Sequence, residues 1–350
     1  MGNASKPRIL IVYTGGTIGM IENPATGALE NFDFESFRRY MPELQQAGCD
    51  FDVLAFDPPI DSSDMEPRHW VSIARTICEH YEQFDGFVVL HGTDTMAYTA
   101  SALSFMLENL GKPVIVTGSQ LPIGKLRTDG KENLLTSLEI AAARDEAGRP
   151  RVPEVCIYFD SRLMRGNRTT KVSTDGFDAF SSYNYPSLAR AGVDIHYRPD
   201  LIRRPAPGLR LTPHYALDTR IVIVTLFPGL RADYMRRLLD VEGLRAVILQ
   251  TYGAGNAPQL PWLVKMLREL GQRGVLVVNL SQCKHGGVVM DRYETGLQLL
   301  QAGVSGGYDS TIECTVTKLM VLFGDGYDAR QVRERMCRSL AGEISVAGEN

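Results

Sequence analysis

The fold is decided by a stretch that reads Phe87-Val-Val-Leu-His-Gly-Thr-Asp-Thr95. Its first four residues are continuously apolar, which is typical of a strand buried on both faces of a parallel sheet. A second apolar run, Ile9–Tyr13, ends in a similar way on the turn Thr14-Gly-Gly-Thr17. Ligands of open α/β sheets lie outside the carboxyl ends of the strands. The two strands are therefore predicted to aim threonine hydroxyls, backbone N–H groups and a carboxylate into one crevice.

Strands and helices alternate through the first half of the chain. Apolar residues recur at helical spacing over His69–Tyr81, Thr95–Leu110 and Gly130–Ala143. Compact apolar runs at Val114–Thr117 and Val155–Phe159 predict strands that alternate with these helices. The alternation predicts an α/β fold with right-handed crossovers and a doubly wound, mostly parallel sheet.

A change in composition divides the chain between Ile195 and Asp218. Prolines stand there among arginines without an apolar period, which predicts an extended linker over residues 195–218. We therefore expect a larger, catalytic α/β domain over 1–194 and a smaller α/β domain over 219–350. The elements predicted for the smaller domain include Ile221–Thr225, Ala246–Gln250, Leu263–Leu270, Val275–Asn279, Thr311–Phe323 and Ala329–Leu340.

The composition excludes several classes of function. Of 350 residues, 44% are apolar and 22% are charged, as in an ordinary globular protein. A net charge of −4 supplies no basic field for nucleic acid or an anionic membrane surface, so neither is expected as a partner. The apolar run that follows the polar segment Met1–Ser5 is too short for a signal peptide or a membrane span.

The cysteines and histidines are not spaced for disulfides or metal. The six cysteines contain no Cys-x-x-Cys pair, and Cys78 and Cys314 lie inside helical patterns. We expect reduced thiols in a cytoplasmic protein. The six histidines form no His-x-x-x-His or Cys/His cluster, which argues against a zinc mechanism.

The string Thr14–Gly19 has two interpretations. Gly15 and Gly16 would let the backbone turn sharply and approach a ligand, which leaves Thr17 exposed at the crevice. A plain glycine turn between two segments explains the string equally well. A dinucleotide-binding loop does not, because the glycine spacing departs from Gly-x-Gly-x-x-Gly and Met20–Glu30 contains a proline and a glycine.

Thr93, Asp94 and Thr95 stand where a helix is predicted to begin. Helix capping readily explains one such residue, but it explains three in a row less well. As functional groups, Asp94 would hold a substrate ammonium, and Thr93 would donate to a carbonyl oxygen or position a water.

The string Asp61-Ser-Ser-Asp64 also precedes a predicted helix. A capping box is one interpretation. The other is a site for a small carboxylate, in which Ser62 and Ser63 donate from hydroxyl and backbone groups near a helix N-terminus.

The basic string Arg165-Gly-Asn-Arg-Thr-Thr-Lys171 follows the predicted strand Val155–Phe159. Basic loops are usually solvated, and that interpretation stays open. A hydroxyl nucleophile nevertheless needs a base, because free threonine is a poor nucleophile at pH 7. A lysine shielded from water near Thr93 and Asp94 could supply the base, since burial of an amine lowers its pKa.

Together these strings resemble the bacterial-type L-asparaginases, and among them the cytoplasmic type I branch. The matching pieces are Thr14-Gly-Gly-Thr-Ile-Gly19, Asp61-Ser-Ser-Asp-Met65, His91-Gly-Thr-Asp-Thr-Met-Ala-Tyr98, Arg165-Gly-Asn-Arg-Thr-Thr-Lys171 and Tyr252-Gly-Ala-Gly-Asn256. One glycine–threonine turn would be weak evidence for the family. Five strings in the order in which the family has them are a specific match. The resemblance covers essentially the whole chain.

The resemblance implies a double displacement on L-asparagine that uses no metal or organic cofactor. The nucleophile would attack the side-chain amide and release ammonia, and water would then free L-aspartate. By the family's motif the catalytic residues are Thr17, Thr93, Asp94 and Lys171, and the substrate-binding residues are Asp61, Ser62, Ser63, Thr93 and Asp94.

The resemblance also implies a homotetramer, built as a dimer of dimers with each site between two subunits. By that pattern Asn256 would reach into the partner's site. Many family members carry a tyrosine in the loop after the first string, whereas Glu22–Glu30 contains none. Tyr13, directly before the first string, is the nearest tyrosine, and its side chain is expected to point away from the site. The loop itself is predicted to be a mobile lid.

The missing tyrosine leaves open which group accepts the proton of Thr17. Lys171, a water or Thr14 are the candidates. The preference for asparagine over glutamine, one methylene longer, is not fixed by these residues.

Two other functions remain as alternatives. The amidase subunit of a tRNA-dependent amidotransferase shares this domain, but it would need an extra N-terminal domain, and only about eight residues precede the first strand. A non-catalytic sensor would bind asparagine without releasing ammonia.

Overall fold

The computed structural model describes residues 6–22, 29–31, 41–292 and 294–346. The chain divides into two compact units, Met1–Pro213 and His214–Asn350. Each unit has its own sheet and its own hydrophobic core.

In the described part of the first unit, eight strands form one sheet. They are β1 (Arg8–Tyr13), β2 (Asp50–Ala55), β3 (Gly86–Leu90), β4 (Val114–Thr117), β5 (Val155–Phe159), β6 (Arg162–Arg165), β7 (Ala189–Ala191) and β8 (Ile195–Tyr197). Their order is β8-β7-β6-β5-β4-β3-β1-β2. Strands β1 to β5 run parallel, and each of β6, β7 and β8 is antiparallel to the strand before it. The predicted α/β fold class is confirmed.

Helices connect the parallel strands and cover the sheet. They are α1 (Pro67–Glu79), α2 (Met96–Met106) and α3 (Gly130–Ala142). Helix α3 packs on β1, β3 and β4. Its Leu134 and Leu138 share a core with Ile9 and Ile11 of β1. Leu10 points to the opposite face and is only 3% exposed, so both faces of β1 are buried, as its continuous apolar sequence predicts.

The register places four strand ends in one row. Tyr13 lies beside Ala55 on one side and Leu90 on the other, and Leu90 lies beside Thr117. The strand order also reverses here, because β2 and β3 flank β1 on opposite sides. A reversal of this kind is where open α/β sheets bind ligands.

Helix α2 ends earlier than the apolar spacing predicts. The prediction extends to Leu110, but the helix stops at Met106, and Leu107–Glu108 pairs instead with Thr212–Pro213. Backbone groups that pair with a distant segment cannot also continue the helix. Local spacing contains no signal for that pairing.

The segment predicted to be a linker begins inside the first unit. Residues 195–197 form β8, in which Ile195 and Tyr197 pack on the core while His196 is exposed. A strand of three residues among prolines and arginines is too short to show a period of two. The two units divide after Pro213.

The second unit contains a parallel sheet in the order β9-β10-β11-β12, with β9 (Ile221–Thr225), β10 (Ala246–Thr251), β11 (Leu276–Ser281) and β12 (Ser305–Gly306). Its described helices are α4 (Ala232–Leu239), α5 (Pro261–Gln272), α6 (Glu294–Gln301), α7 (Ile312–Gly324) and α8 (Ala329–Met336). Across the described residues of both units, we find no helix with the length and apolarity that a membrane crossing requires.

Candidate active site

Three turns meet at the carboxyl edge of the larger sheet. Gly15 and Gly16 have φ angles of +132° and +90°. A Cβ on Gly15 would overlap the Ile60 carbonyl, and a Cβ on Gly16 would overlap the backbone of Gly92. A Cβ on Gly92 would in turn overlap the Ser62 hydroxyl. The turns after β1, β2 and β3 therefore touch backbone to backbone, which only glycine permits.

The two threonines of the first string lie in different surroundings. Thr14 is buried, and its Oγ1 donates to the Leu90 carbonyl oxygen at 2.9 Å. Thr17 begins the one-turn 3-10 helix Thr17–Gly19 and is partly exposed. The proton of Thr14 is thus held by the sheet, whereas Thr17 is the threonine of this string that is partly exposed.

Lys171 joins Thr93 and Asp94 in one cluster. Its Nζ donates to Thr93 Oγ1 at 2.9 Å and to Asp94 Oδ1 at 2.6 Å. The Lys171 side chain is 18% exposed, and that of Asp94 is 63% exposed. Lys171 lies on the short strand Thr170–Lys171, which pairs with Phe180–Ser181. A hairpin thus brings an amine to the hydroxyl at the end of β3.

Asp61 caps the one-turn helix Ser62–Asp64. Its Oδ1 accepts from the backbone N of Ser63 at 2.9 Å and from the Ser63 hydroxyl at 2.8 Å. These two hydrogen bonds, the backbone one first, hold the pKa of the Asp61 carboxyl below its usual value. Asp61 is therefore a plain N-cap of this short helix, whereas the capping box of the next helix, α1, is formed by Glu66 and His69.

Ser62 connects this turn to the second threonine string. It is buried, and its Oγ accepts from the backbone N of Asp94 at 3.3 Å. Its carbonyl oxygen accepts from Thr95 Oγ1 at 2.7 Å. The string Asp61–Asp64 can therefore cap a short helix and also belong to the candidate site, because Ser62 joins it to the turn of Asp94 and Thr95.

Gln120 is a member of this site that the sequence interpretation missed. Its Oε1 accepts from Thr93 Oγ1 at 3.2 Å, and its Nε2 donates to the Gly176 carbonyl at 3.1 Å. Gln120 stands in the turn directly after β4, the next parallel strand. The rule that identified the other turns, polar residues after a buried strand, would have identified this one.

The basic string is not a solvated loop. Arg165 is 2% exposed, and its Nε donates to Glu154 Oε2 at 2.6 Å. Its guanidinium lies 4.4 Å from the ring centre of Tyr185. Arg168 is 3% exposed and stacks on the same ring at 5.1 Å. The two arginines are structural, and they hold the segment that leads to Lys171.

His91 supports the second string from inside the protein. Burial lowers its pKa to about 4, so the ring is neutral at pH 7. Nδ1 donates to the Gly92 carbonyl at 2.6 Å, and Nε2 accepts from Thr99 Oγ1 at 2.8 Å. Thr99 itself accepts from Trp70 Nε1 at 3.0 Å. These partners fix the tautomer with its proton on Nδ1.

Tyr13 packs behind the turn that carries Thr17. Its hydroxyl donates to the Gly19 carbonyl at 3.3 Å, and burial raises the pKa of Tyr13 to about 12. The ends of the predicted lid form paired antiparallel strands, Met20–Glu22 and Leu29–Asn31. Residues 23–28, most of that lid, lie outside the described residues.

Asn256 belongs to the second unit. Its backbone pairs with Tyr252, and its Oδ1 accepts from Thr295 Oγ1 at 2.8 Å. Across the residues that the structure describes, no group of three or more histidine, cysteine, aspartate or glutamate side chains is placed to hold a metal ion.

The sheet defines an α/β protein, and the hydroxyl, amine and carboxylate groups gathered at its edge form a candidate site for a small ligand. Two family models match the chain: the asparaginase N-terminal domain over residues 8–203 and the glutaminase/asparaginase C-terminal domain over residues 220–336. The chain belongs to the asparaginase family, and its resemblance to the L-asparaginases is confirmed.

Individual relatives agree with the family match. L-asparaginase 1 of Escherichia coli (strain K12) is 47% identical over 97% of this chain and 98% of that protein. The 60 kDa lysophospholipase of Mus musculus is 40% identical over 97% of this chain, which spans 63% of that longer protein. The crystal structure of L-asparaginase I from Vibrio cholerae superposes with a TM-score of 0.88 at 42% identity, covering 98% of this chain and 100% of that one.

Proposed function

We propose that this chain hydrolyses the side-chain amide of L-asparagine to L-aspartate and ammonia, with Thr17 as the nucleophile. The family supplies the reaction and its substrate. The cluster of Lys171, Thr93 and Asp94 is the observation that carries the proposal, because an amine on a hydroxyl suits acyl transfer to water. The contact between Gly16 and Gly92 brings the turn of Thr17 beside this cluster.

In the first half-reaction, Thr17 Oγ1 bonds to the amide carbon. Its proton passes to the departing nitrogen, ammonia leaves, and an aspartyl ester of Thr17 remains. Backbone N–H groups in the turns of Gly16 and Thr93 are candidates to stabilise the oxyanion, and one such donor is typically worth about 3–4 kcal/mol.

In the second half-reaction, water bonds to the ester carbon and the bond to Thr17 breaks. One water proton returns to the Thr17 oxygen, and L-aspartate departs. Thr93 and Lys171 are proposed to hold and polarise this water. Partial burial of Lys171 favours that role, because a shielded amine interacts more strongly with a nearby hydroxyl than an exposed one does.

The substrate's charges match the groups around the reacting centre. The exposed Asp94 carboxylate suits the α-ammonium group, and Asp61 adds a second negative charge at the same edge. Ser62 and Ser63 are proposed to hold the α-carboxylate. A zwitterion is thereby fixed at one end while its amide faces Thr17.

We further propose a homotetramer in which the site lies between two subunits and Asn256 of one subunit serves its partner. A cytoplasmic location is proposed because the six cysteines, all in the described part of the chain, are not paired in disulfides. No metal or organic cofactor enters either half-reaction as proposed.

Ammonia release from L-asparagine, L-glutamine and D-asparagine tests the proposal with Thr17→Ala as the key variant. We expect rapid release from L-asparagine by the wild type and a loss of at least about a thousandfold in Thr17→Ala, because the proposed ester forms on the Thr17 oxygen. Thr212→Ala, the same change at an exposed residue, should match the wild type. A wild type that releases no ammonia overturns the function, and an active Thr17→Ala overturns the nucleophile.

The same preparation should be offered lysophosphatidylcholine, because one relative is named a lysophospholipase. Free fatty acid is the product to measure. We expect none, since the proposed site is built from charged groups that suit a small zwitterion. Fatty acid release abolished by Thr17→Ala would instead make the enzyme a broader acyl hydrolase.

A further inference from the structure

Gln120 links three segments that carry the site. Its backbone N donates to Asp129 at 2.9 and 3.1 Å, which anchors the turn after β4. Its side-chain amide then spans from Thr93 to the Gly176 carbonyl, which lies in the hairpin beyond Lys171. One side chain thus contacts both segments whose residues form the amine–hydroxyl pair.

The partners of Gln120 determine the orientation of its amide. Because Gly176 offers a carbonyl oxygen, the NH₂ group must face Gly176, and the amide oxygen faces Thr93. A hydroxyl has one proton, so Thr93 donates it to Gln120. Toward Lys171 the Thr93 oxygen can then only accept, and Nζ is the donor.

This arrangement controls the direction of every hydrogen bond around Thr93. The Thr93 hydroxyl donates its proton to Gln120, and one of its two lone pairs accepts a hydrogen bond from Lys171. The second lone pair remains for a water. Without Gln120 the hydroxyl would rotate, and the hairpin that carries Lys171 would lose its tie to the turn after β4. The distance of 2.9 Å between Lys171 Nζ and Thr93 Oγ1 depends on the orientation of this hydroxyl and on the position of the hairpin.

We propose that Gln120 is a positioning residue for the second half-reaction, in which it orients the Thr93 hydroxyl and holds the Lys171 hairpin beside it. The inference rests on the proposed function, because it assumes that Thr93 and Lys171 act on the water. It predicts that loss of Gln120 slows ester hydrolysis and leaves formation of the ester unchanged.

Gln120→Met tests this, because methionine has a similar length and cannot bind either partner. We expect kcat to fall about tenfold, the effect of losing a hydrogen bond or two, while kcat/KM stays within about twofold of the wild type. Rapid-quench measurement should show a burst of ammonia of up to one equivalent per site, followed by slow turnover. Gln272→Met, at an exposed glutamine of α5, should match the wild type throughout.

Asp129→Asn provides an independent variant, since it weakens the anchor of the Gln120 turn and leaves Gln120 in place. We expect the same signature in milder form, with kcat lower by about threefold and kcat/KM retained. A wild type without ammonia release would overturn the proposed function and this inference together. An active wild type whose Gln120→Met variant keeps full kcat, or loses kcat/KM without a burst, overturns this inference alone.

Discussion

At the scale of single residues, the site depends on glycines more than on charges. Gly16 lies against Gly92 with no room for a side-chain atom, and its φ of +90° is one that other residues rarely adopt. The turn of Thr17, the proposed nucleophile, and the turn of Thr93 therefore approach as closely as two backbones can. A change at Gly16 is expected to separate Thr17 from the cluster without altering any of the proposed catalytic groups.

Gly16→Ala is expected to abolish ammonia release and to lower the free energy of unfolding by more than about 3 kcal/mol. The backbone of Gly16, with φ of 90° and ψ of 170°, lies in a region that essentially only glycine adopts, which alone costs another residue about 1–3 kcal/mol, and the overlap with Gly92 adds to it. Denaturant unfolding and an ammonia assay measure the two effects.

Gly148→Ala measures what a positive φ costs where a side chain has room, because Gly148 has a φ of +74° and open space around it. It should lose only about 1–2 kcal/mol of stability and keep full activity. Equal losses in the two variants would show that close packing at Gly16 is unimportant.

At the scale of elements, the hairpin of β5 and β6 holds the segment that leads to Lys171. Arg165, at the end of β6, binds both oxygens of Glu154, at 2.6 and 3.1 Å, and the Leu201 carbonyl at 2.7 Å. Arg165 is 2% and Glu154 8% exposed. Such a pair need not add net stability, but removal of one member leaves a buried charge unpaired.

Glu154→Gln is therefore expected to lower the free energy of unfolding by about 3–5 kcal/mol, measured by urea titration. Glu334→Gln is the matched control on α8, where the partner Arg330 is 87% exposed, and it should cost less than about 0.5 kcal/mol. A small effect for Glu154→Gln would mean that water or another acceptor replaces the carboxylate.

The same elements explain how much the sequence could predict. Strands such as β1 and β3 are buried on both faces, so their apolar runs and the turns after them are visible without a structure. Strands β7 and β8 have three residues each and exist through their pairing with β6 and with each other. Local periodicity cannot show them.

The candidate site follows the same division. Strings that follow strands point to Thr17, Thr93 and Asp61, because position after a strand end is a local property. Gln120 acts through Gly176, 56 residues further along the chain, and Glu154 through Arg165, which the hairpin of β5 and β6 brings beside it. Such partnerships follow from packing, which a single sequence without its structure does not contain.

At the scale of the whole molecule, every proposed catalytic and substrate-binding residue lies in the unit Met1–Pro213, and Asn256 lies in the other. The proposed homotetramer gives the second unit a function, because Asn256 would complete the site of a partner subunit. In a two-fold pair, each site would then contain Thr17 of one subunit and Asn256 of the other.

Mixed subunits test this arrangement directly. Thr17→Ala and Asn256→Ala are each expected to have little activity alone. Co-expressed, they form hybrid pairs in which one site has both Thr17 and Asn256 and the other has neither. With random pairing, about a quarter of the wild-type ammonia release per site should return. If Asn256 served its own subunit, no hybrid would contain a complete site, and the mixture would stay as inactive as its components. A fully active Asn256→Ala protein would instead remove Asn256 from the site altogether.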